Sequence, residues 1–560
     1  MAYDIVIKGG TIVDGTGAPG FRADVAIAAG KIAEVGRVTD GARDTIDAGG
    51  LVVAPGFVDP HTHYDAQICW DPLLTSSSWH GVTSVVMGNC GVGIAPCKPA
   101  VREIAAWDLV NVEAIPFAVL SRGITWDWVS FPEFMDAAER RGVGINVGFL
   151  APLTPFRHFV MGEESMERAA TAEETAQIAA LLREAVGAGA MGFSTTAVPQ
   201  HIGYKGRPLA CRNASREELK TYAGVLGELQ TGAIEVALTK APGILADDEY
   251  EFLDLLLRAG GRPVTWLALL GRDDDPDACM RSLDRAEPLV RRGAVPQVTC
   301  RPLIVQFNLR EPFIFANLRS TNPVFNQPPE VQIELYRNRD FRAAFRADLA
   351  RPGIFCARWD RLEIKAVGDP AMRTLEGRTV GEIARARGCD GMDTFLDIGI
   401  ADGLRTEFTC PLFNADEARI PELLRDPRTM IGLSDGGAHV DMLIDAGYPT
   451  YLLGTWVRER QALTLERAVQ RITSEPADFF GIRGRGRLKP GLAADVSIFD
   501  PNTVGSALRG TMRDDLPGGG RRLVMEAHGV YCTIVNGRVL YRDGRPSEAR
   551  PGMVLRCGRC

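Results

Sequence analysis

The stretch that most restricts what this chain can become runs from Phe57 to Cys90, FVDPHTHYDAQICWDPLLTSSSWHGVTSVVMGNC. An apolar lead-in runs into Asp59, His61, His63 and Asp65 at every second position. Side chains on a strand alternate faces, so His61 and His63 point the same way. A helix-length spacer follows, then a second apolar run, Val82 to Met87, which ends at Asn89-Cys90. In a parallel sheet the second strand delivers Cys90 to the end where the imidazoles sit. Two imidazoles on one face at a strand end suit a metal site. The competing reading is a strand with two hydrogen-bonded histidines and a buried thiol.

With 560 residues the chain can build a large core and more than one domain. Its net charge of −8 argues against a nucleic-acid or anionic-membrane partner. No apolar run approaches the roughly 18 residues that signal a membrane-spanning helix. The opening MAYDIVIKGG reads as a strand and not as a signal peptide. A cytoplasmic protein is expected, with most of its twelve cysteines free. Cys557 and Cys560 form a terminal CxxC, too little by itself for a zinc or disulfide framework.

Three regions are expected. Residues 1–55 read as short strands with glycine turns, and residues 481–560 read the same way, with Asn536-Gly537 as a hairpin signal. Between them, residues 56–480 alternate apolar strands with amphipathic helices, the pattern of a (β/α)8 barrel. Within that alternation SREELKTYAGVLGELQ carries Ser215 and Glu218 as a capping box. VPQVTCRPLIVQF reads as the seventh strand and TMIGLSD, at 429–435, as the eighth. Residues 308–410 break the period and read as an insertion at the catalytic end, a lid or substrate wall.

The segments APGFVDPHTHYDAQ (54–67), GVTSVVMGNCGVGIAP (81–96), MGFSTT (191–196), GLSDGG (432–437), ITSEPADFFGI (472–482) and GRLKPGLAADVSIFDP (486–501) together resemble the amidohydrolase superfamily. Within it they resemble the N-acyl-D-amino-acid deacylases, or D-aminoacylases. The resemblance implies an α/β fold, a TIM-type barrel with a small β-sandwich built from both termini. It implies zinc, with the cysteine of GNCG (here Cys90) as a ligand and a catalytic aspartate at Asp435.

The chain departs from the family at two strands. Family members carry metal-binding histidines at the ends of strands five and six. The matching segments here, GAIEVALTK and RPVTWLALL, hold Ala237 and Ala268 near those places. The chain has only seven histidines. Three explanations compete: one metal held by His61, His63 and Asp435, with or without Cys90; substitution by His201 and His439 from loops; or loss of the metal and a change of chemistry. Glu235 and Lys240 on strand five are further candidates.

Barrel active sites lie at the carboxyl ends of the strands, which gathers His61, His63, Cys90, Arg157, His201, Asp435 and His439. Asp435 suits a proton carrier beside a metal, or a helix N-cap. Cys90 is a ligand, a nucleophile or core. Arg157 is a fork for a substrate carboxylate or a plain ion pair. His201 and His439 are substrate or metal contacts, with a surface histidine the alternative for His201.

The leading expectation is a metal-dependent hydrolase of an amide-type C–N bond, acting on a small N-acyl amino acid or related carboxylate with one zinc ion rather than two. Its rivals are a barrel enzyme with changed chemistry (cyclic amide or ester hydrolase, or lyase) and a catalytically silent binding protein. A homo-oligomer is left open.

Overall fold

The computed structural model describes residues 3–557 apart from 317, 326, 352 and 356. Cys560 of the terminal CxxC lies outside the described residues. Eight parallel segments form the expected barrel: Phe57–Thr62, Val82–Met87, a third strand split into Asn146–Phe149 and Ala151–Pro152, then Gly192–Thr196, Ala233–Ala237, Val264–Leu267, Ala294–Val298 and Met430–Ile431. The first strand is buried along its whole length, as parallel strands covered on both faces are. The barrel closes where the eighth strand reaches the first. Thr62 bridges Gly436, and His63 N–H donates to the Gly436 carbonyl at 2.7 Å.

The covering helices begin where the sequence signals. Ser215 accepts from the Glu218 N–H and Glu218 reaches back to the Ser215 N–H, so the capping box forms at the start of Arg216–Leu229. Thr171 and Glu174 do the same for Ala172–Gly187.

Both termini meet in one nine-stranded sheet outside the barrel. Its seam is the antiparallel pairing of Val52–Pro55 with Val496–Phe499. The extreme C-terminal segment Val554–Leu555 returns to the barrel and pairs in parallel with Asn146–Phe149. It thereby covers the edge left where the third strand splits.

The seventh strand is shorter than its sequence suggests. VPQVTCRPLIVQF is one apolar run, but the barrel keeps only Ala294–Val298. The chain turns through Arg301-Pro302, and Leu303–Phe307 joins a separate antiparallel sheet with Glu407–Phe413 and Glu363–Ala366. Arg301 anchors the turn: its Nε donates to Asp445 at 2.9 Å, and its other nitrogens reach Ser506 and the carbonyls of Ala507 and Leu508.

That sheet belongs to the segment between strands seven and eight, which has its own core of Phe307, Phe315, Phe345, Phe395 and Phe408. Phe395 and Phe408 stand edge to face with centroids 4.8 Å apart. The same cluster takes in Leu270 and Leu433, with Leu267, Ala268 and Met442 packed against it. These residues lie at or beyond the carboxyl ends of strands six and eight, so the insertion sits on that end of the barrel. Ala268, near the place where the resemblance implied a histidine, packs against this apolar cluster.

Candidate metal centre

His61 is the penultimate residue of the first strand and His63 follows its end, both buried. Their shared face brings the two Nε2 atoms to 3.3 Å. Cys90 arrives from the second strand through GNCG. Asn89 Nδ2 donates to the carbonyls of Thr62 and Val86, tying this turn to strand one. The turn needs its glycines. A Cβ on Gly88 would run into the Leu150 carbonyl, and one on Gly91 would stand 2.7 Å from the Cys211 sulfur. Cys90 itself takes a left-handed φ of 57°, a costly conformation for a residue with a side chain. Its N–H is held by the Glu235 carboxylate at 2.6 Å, and its sulfur stands 3.5 Å from His61 Nε2.

The fourth group comes from the eighth strand. Asp435, also left-handed at φ 47°, places Oδ1 at 3.3 Å from His61 Nε2 and 3.8 Å from His63 Nε2. No helix begins here; the next one described starts at Tyr448, so the N-cap alternative for Asp435 falls away. Ser434 Oγ donates to the His61 carbonyl, fixing this loop against strand one.

These groups sit in an environment hostile to charge. Burial lowers His61 to about 3, with the neighbouring Gln297 side chain acting the other way. Burial drives His63 well below its usual range, and His61, His439 and His201 add to the effect. Burial lifts Asp435 to about 7, assisted by Asp445 and Asp59. Burial, with Glu235 and Asp435 nearby, pushes the Cys90 thiol well up. Without a cation the cluster therefore favours neutral imidazoles and a neutral thiol.

A metal fits this donor set. His61, His63 and Cys90 offer ligand atoms all within 4.8 Å of one another. With metal–nitrogen bonds near 2.0–2.1 Å and metal–sulfur near 2.3 Å, ligands on a tetrahedron stand about 3.3–3.7 Å apart. The separations of 3.3 Å between the two imidazole nitrogens, 3.5 Å from His61 to Cys90 and 3.3 Å from His61 to Asp435 lie in that band, and the 3.8 Å from His63 to Asp435 lies just beyond it. Two imidazole nitrogens and a thiol gathered together, with a carboxylate beside the imidazoles, present a surplus of lone pairs that a cation relieves.

The other sequence candidates divide. His201 and His439 lie close enough for their charges to act on His63 and on each other. His201 Nδ1 is buried without a hydrogen-bond partner, and His439 adopts φ 48°. Arg157 is a correction. It is fully buried, pairs with Glu218, and donates to the carbonyls of Arg168 (2.8 Å) and Ser165 (3.5 Å). Its fork joins two helices and is already engaged, so the carboxylate-clamp expectation gives way to the ion pair. Neighbouring His158 is held between Asp108 (2.8 Å) and Ser165 (2.7 Å). Lys240 points outward to Asp248.

Sequence reading missed Glu113, whose carboxylate lies 3.2 Å from His63 Nδ1, and Gln297, whose side chain acts on His61. Neither sits in a recognisable motif. Glu235 stood out only as an extra ligand candidate; it holds the backbone of Cys90.

Residues 44–296 and 337–541 match the Amidohydrolase family. The chain belongs to this family. A protein of Mycobacterium tuberculosis described as uncharacterized is 30% identical over 606 positions, covering 100% of this chain and 96% of the relative. The D-aminoacylase of Alcaligenes xylosoxydans xylosoxydans is 28% identical over 561 positions, covering 99% and 97%. Among solved structures, the N-acyl-D-glutamate deacylase of Bordetella bronchiseptica, complexed with zinc and a phosphonate inhibitor, superposes with a TM-score of 0.67 at 28% identity, covering 99% of this chain and 100% of that one. This amidohydrolase thus falls in the D-aminoacylase-like branch, among hydrolases of carbon–nitrogen bonds. It differs from the family pattern in lacking the histidines of strands five and six and in clustering His61, His63 and Cys90.

Proposed function

We propose that this amidohydrolase cleaves the amide-type C–N bond of a small N-acyl amino acid or related carboxylate, with one zinc ion held by His61, His63, Cys90 and Asp435. The observation that carries the reading is the gathering of His61, His63 and Cys90 at ligand spacing, with the Asp435 carboxylate 3.3 Å from His61 Nε2. Bound there, zinc supplies a Lewis acid that polarises a carbonyl and eases ionisation of water.

The remaining work falls to the chain. Asp435, 19% exposed on its side chain, is the member of the cluster open to a substrate. Its carboxylate accepts the proton from the attacking water and returns it to the leaving nitrogen. Cys90 and the two imidazoles stay fixed, because Glu235 and Asn89 hold the cysteine's turn in place. His201 and His439 flank the cluster and orient the substrate.

Arg212 takes the carboxylate-binding role that Arg157 cannot. Its Nη1 donates to the carbonyls of Pro199 and His201 in the loop that carries His201. No carboxylate pairs with it among the described residues, so its remaining donors suit a substrate carboxylate. A cavity of about 920 Å³, lined in part by Trp107, Phe307, Arg310 and Met442, opens between the helix Arg102–Glu113 and the insertion; no residue of the metal cluster lines it. The described cysteines are free thiols, in keeping with action in the cytoplasm. No helix among the described residues is long and apolar enough to cross a membrane.

The test is turnover. Protein of known zinc content should release free amine from a panel of N-acetyl and longer N-acyl amino acids of both hands, and His61→Ala/His63→Ala should not. Ring-opened products from cyclic amides, with no release from linear ones, would move the assignment to a cyclic-amide hydrolase.

A further inference from the structure

Glu113 is the one buried carboxylate at the site with no evident structural reason to be there. It is the last residue of the helix Arg102–Glu113 and is 1% exposed. Neither of its oxygens accepts a well-formed hydrogen bond among the described residues. Among the described residues its one ion-pair contact is His63, with Oε1 3.2 Å from Nδ1, close but bent away from the ideal donor line, while Asp435 and Asp65 lie near enough to repel its charge. A helix C-terminus is the negative end of the helix dipole, a poor place for a carboxylate. Burial without donors adds a further cost. A group kept at such cost, aimed at one nitrogen of a candidate ligand, calls for a role at that ligand.

We propose that Glu113 is the positioning residue of the metal centre. Its carboxylate accepts a hydrogen bond from His63 Nδ1–H, which holds the proton on Nδ1 and leaves the Nε2 lone pair on the side of His61 and Asp435. An imidazole has two nitrogens and, when neutral, one proton, so fixing that proton on Nδ1 selects the ligating tautomer. The carboxylate also turns the ring plane and makes Nε2 a better donor. Helix Arg102–Glu113 stops at this point, because Ala114 takes a left-handed φ of 54°. Glu113 therefore sits on the last turn of a rigid element, which is what a positioning group needs. The proposal rests on the metal reading given above.

The test compares wild type, Glu113→Gln and Glu113→Asp as full-length protein. Zinc affinity is read by competition with a chromophoric chelator, cobalt binding by absorption, and stability of the metal-free form by denaturant unfolding. Glu113→Gln keeps the shape but is a weaker acceptor, and should bind zinc about 10–100-fold more weakly. Its cobalt spectrum should shift, and its metal-free form should be as stable as wild type or more so. Glu113→Asp should recover part of the affinity. A Glu113→Gln protein that binds zinc within twofold of wild type overturns the proposal while leaving the metal centre standing. Loss of fold in both variants assigns Glu113 a structural role and overturns it as well. A wild type that takes up neither zinc nor cobalt removes the metal reading itself, and the proposal with it.

Discussion

Arg157 separates a substrate contact from a structural ion pair, and the two readings predict opposite results. The structure buries the Arg157 guanidinium completely and leaves Glu218 1% exposed. Replacing Arg157 with Met keeps most of the packing volume and strands Glu218. Breaking one side of a buried pair costs about 3–5 kcal/mol. Glu218 retains the N–H groups of Ala170 and Ser215 on Oε1 and the Tyr222 hydroxyl on Oε2. That support puts the expected loss near the lower bound, about 3 kcal/mol. Removing the stranded charge as well, in Arg157→Met/Glu218→Gln, should recover part of the loss. The assay is urea unfolding followed by tryptophan fluorescence, alongside kcat and KM on the folded enzyme. A lower unfolding midpoint with kcat/KM within a few-fold of wild type is the expected outcome. An Arg157→Met protein as stable as wild type, with KM raised tenfold or more and no compensation from Glu218→Gln, would refute the ion-pair account and restore the carboxylate clamp.

Three further outcomes follow from particular contacts. Asp435→Asn removes a ligand as well as the proton carrier, so it should weaken zinc retention at least as much as Glu113→Gln and, compared at equal zinc content, lower kcat by about 10²–10⁴, the usual loss with a general acid–base group, measured by amine release. His80 is buried between Thr450 Oγ and the Met525 carbonyl, and burial lowers it to about 3. Its unfolded value is near 6.5, so between the two only the unfolded chain binds the proton. Its contribution is complete above about pH 6.5 and falls by up to about 1.4 kcal/mol per pH unit toward pH 3; urea midpoints against pH should be flatter for His80→Asn. Removing residues 552–560 takes away the strand at Val147 and Gly148 and the Cys557 N–H bond to Gly189. Amide exchange in Asn146–Phe149 should then accelerate, while exchange in Gly192–Thr196 changes less.

The barrel was legible because its signals are local and repeated. Apolar strands alternate with capped helices, and Ser215 and Glu218 form the box their spacing announces. His61 and His63 were legible from the period of a strand, which needs no knowledge of tertiary structure. The break in strand seven was not, since VPQV and LIVQF are equally apolar and only the anchoring of Arg301 by Asp445 and the loop at 506–508 separates them. Arg157 misled for a related reason: an arginine near a strand end looks the same in sequence whether it faces a substrate or Glu218. Glu113 and Gln297 meet the histidines through barrel closure and helix packing, across about 50 and 236 positions, and no short pattern encodes such a meeting. The alanines at 237 and 268 announced a departure from the family pattern. What takes the freed space at Ala268 became visible only in the apolar cluster of the insertion.

The central claim is one metal at His61, His63, Cys90 and Asp435. Elemental analysis of protein purified without added metal tests it most directly, with His61→Ala/His63→Ala and Cys90→Ala run in parallel. The account predicts about one zinc per chain in wild type, none in the histidine double variant, and weakened retention in Cys90→Ala. A folded wild type that carries no metal and takes up none on zinc addition would contradict it.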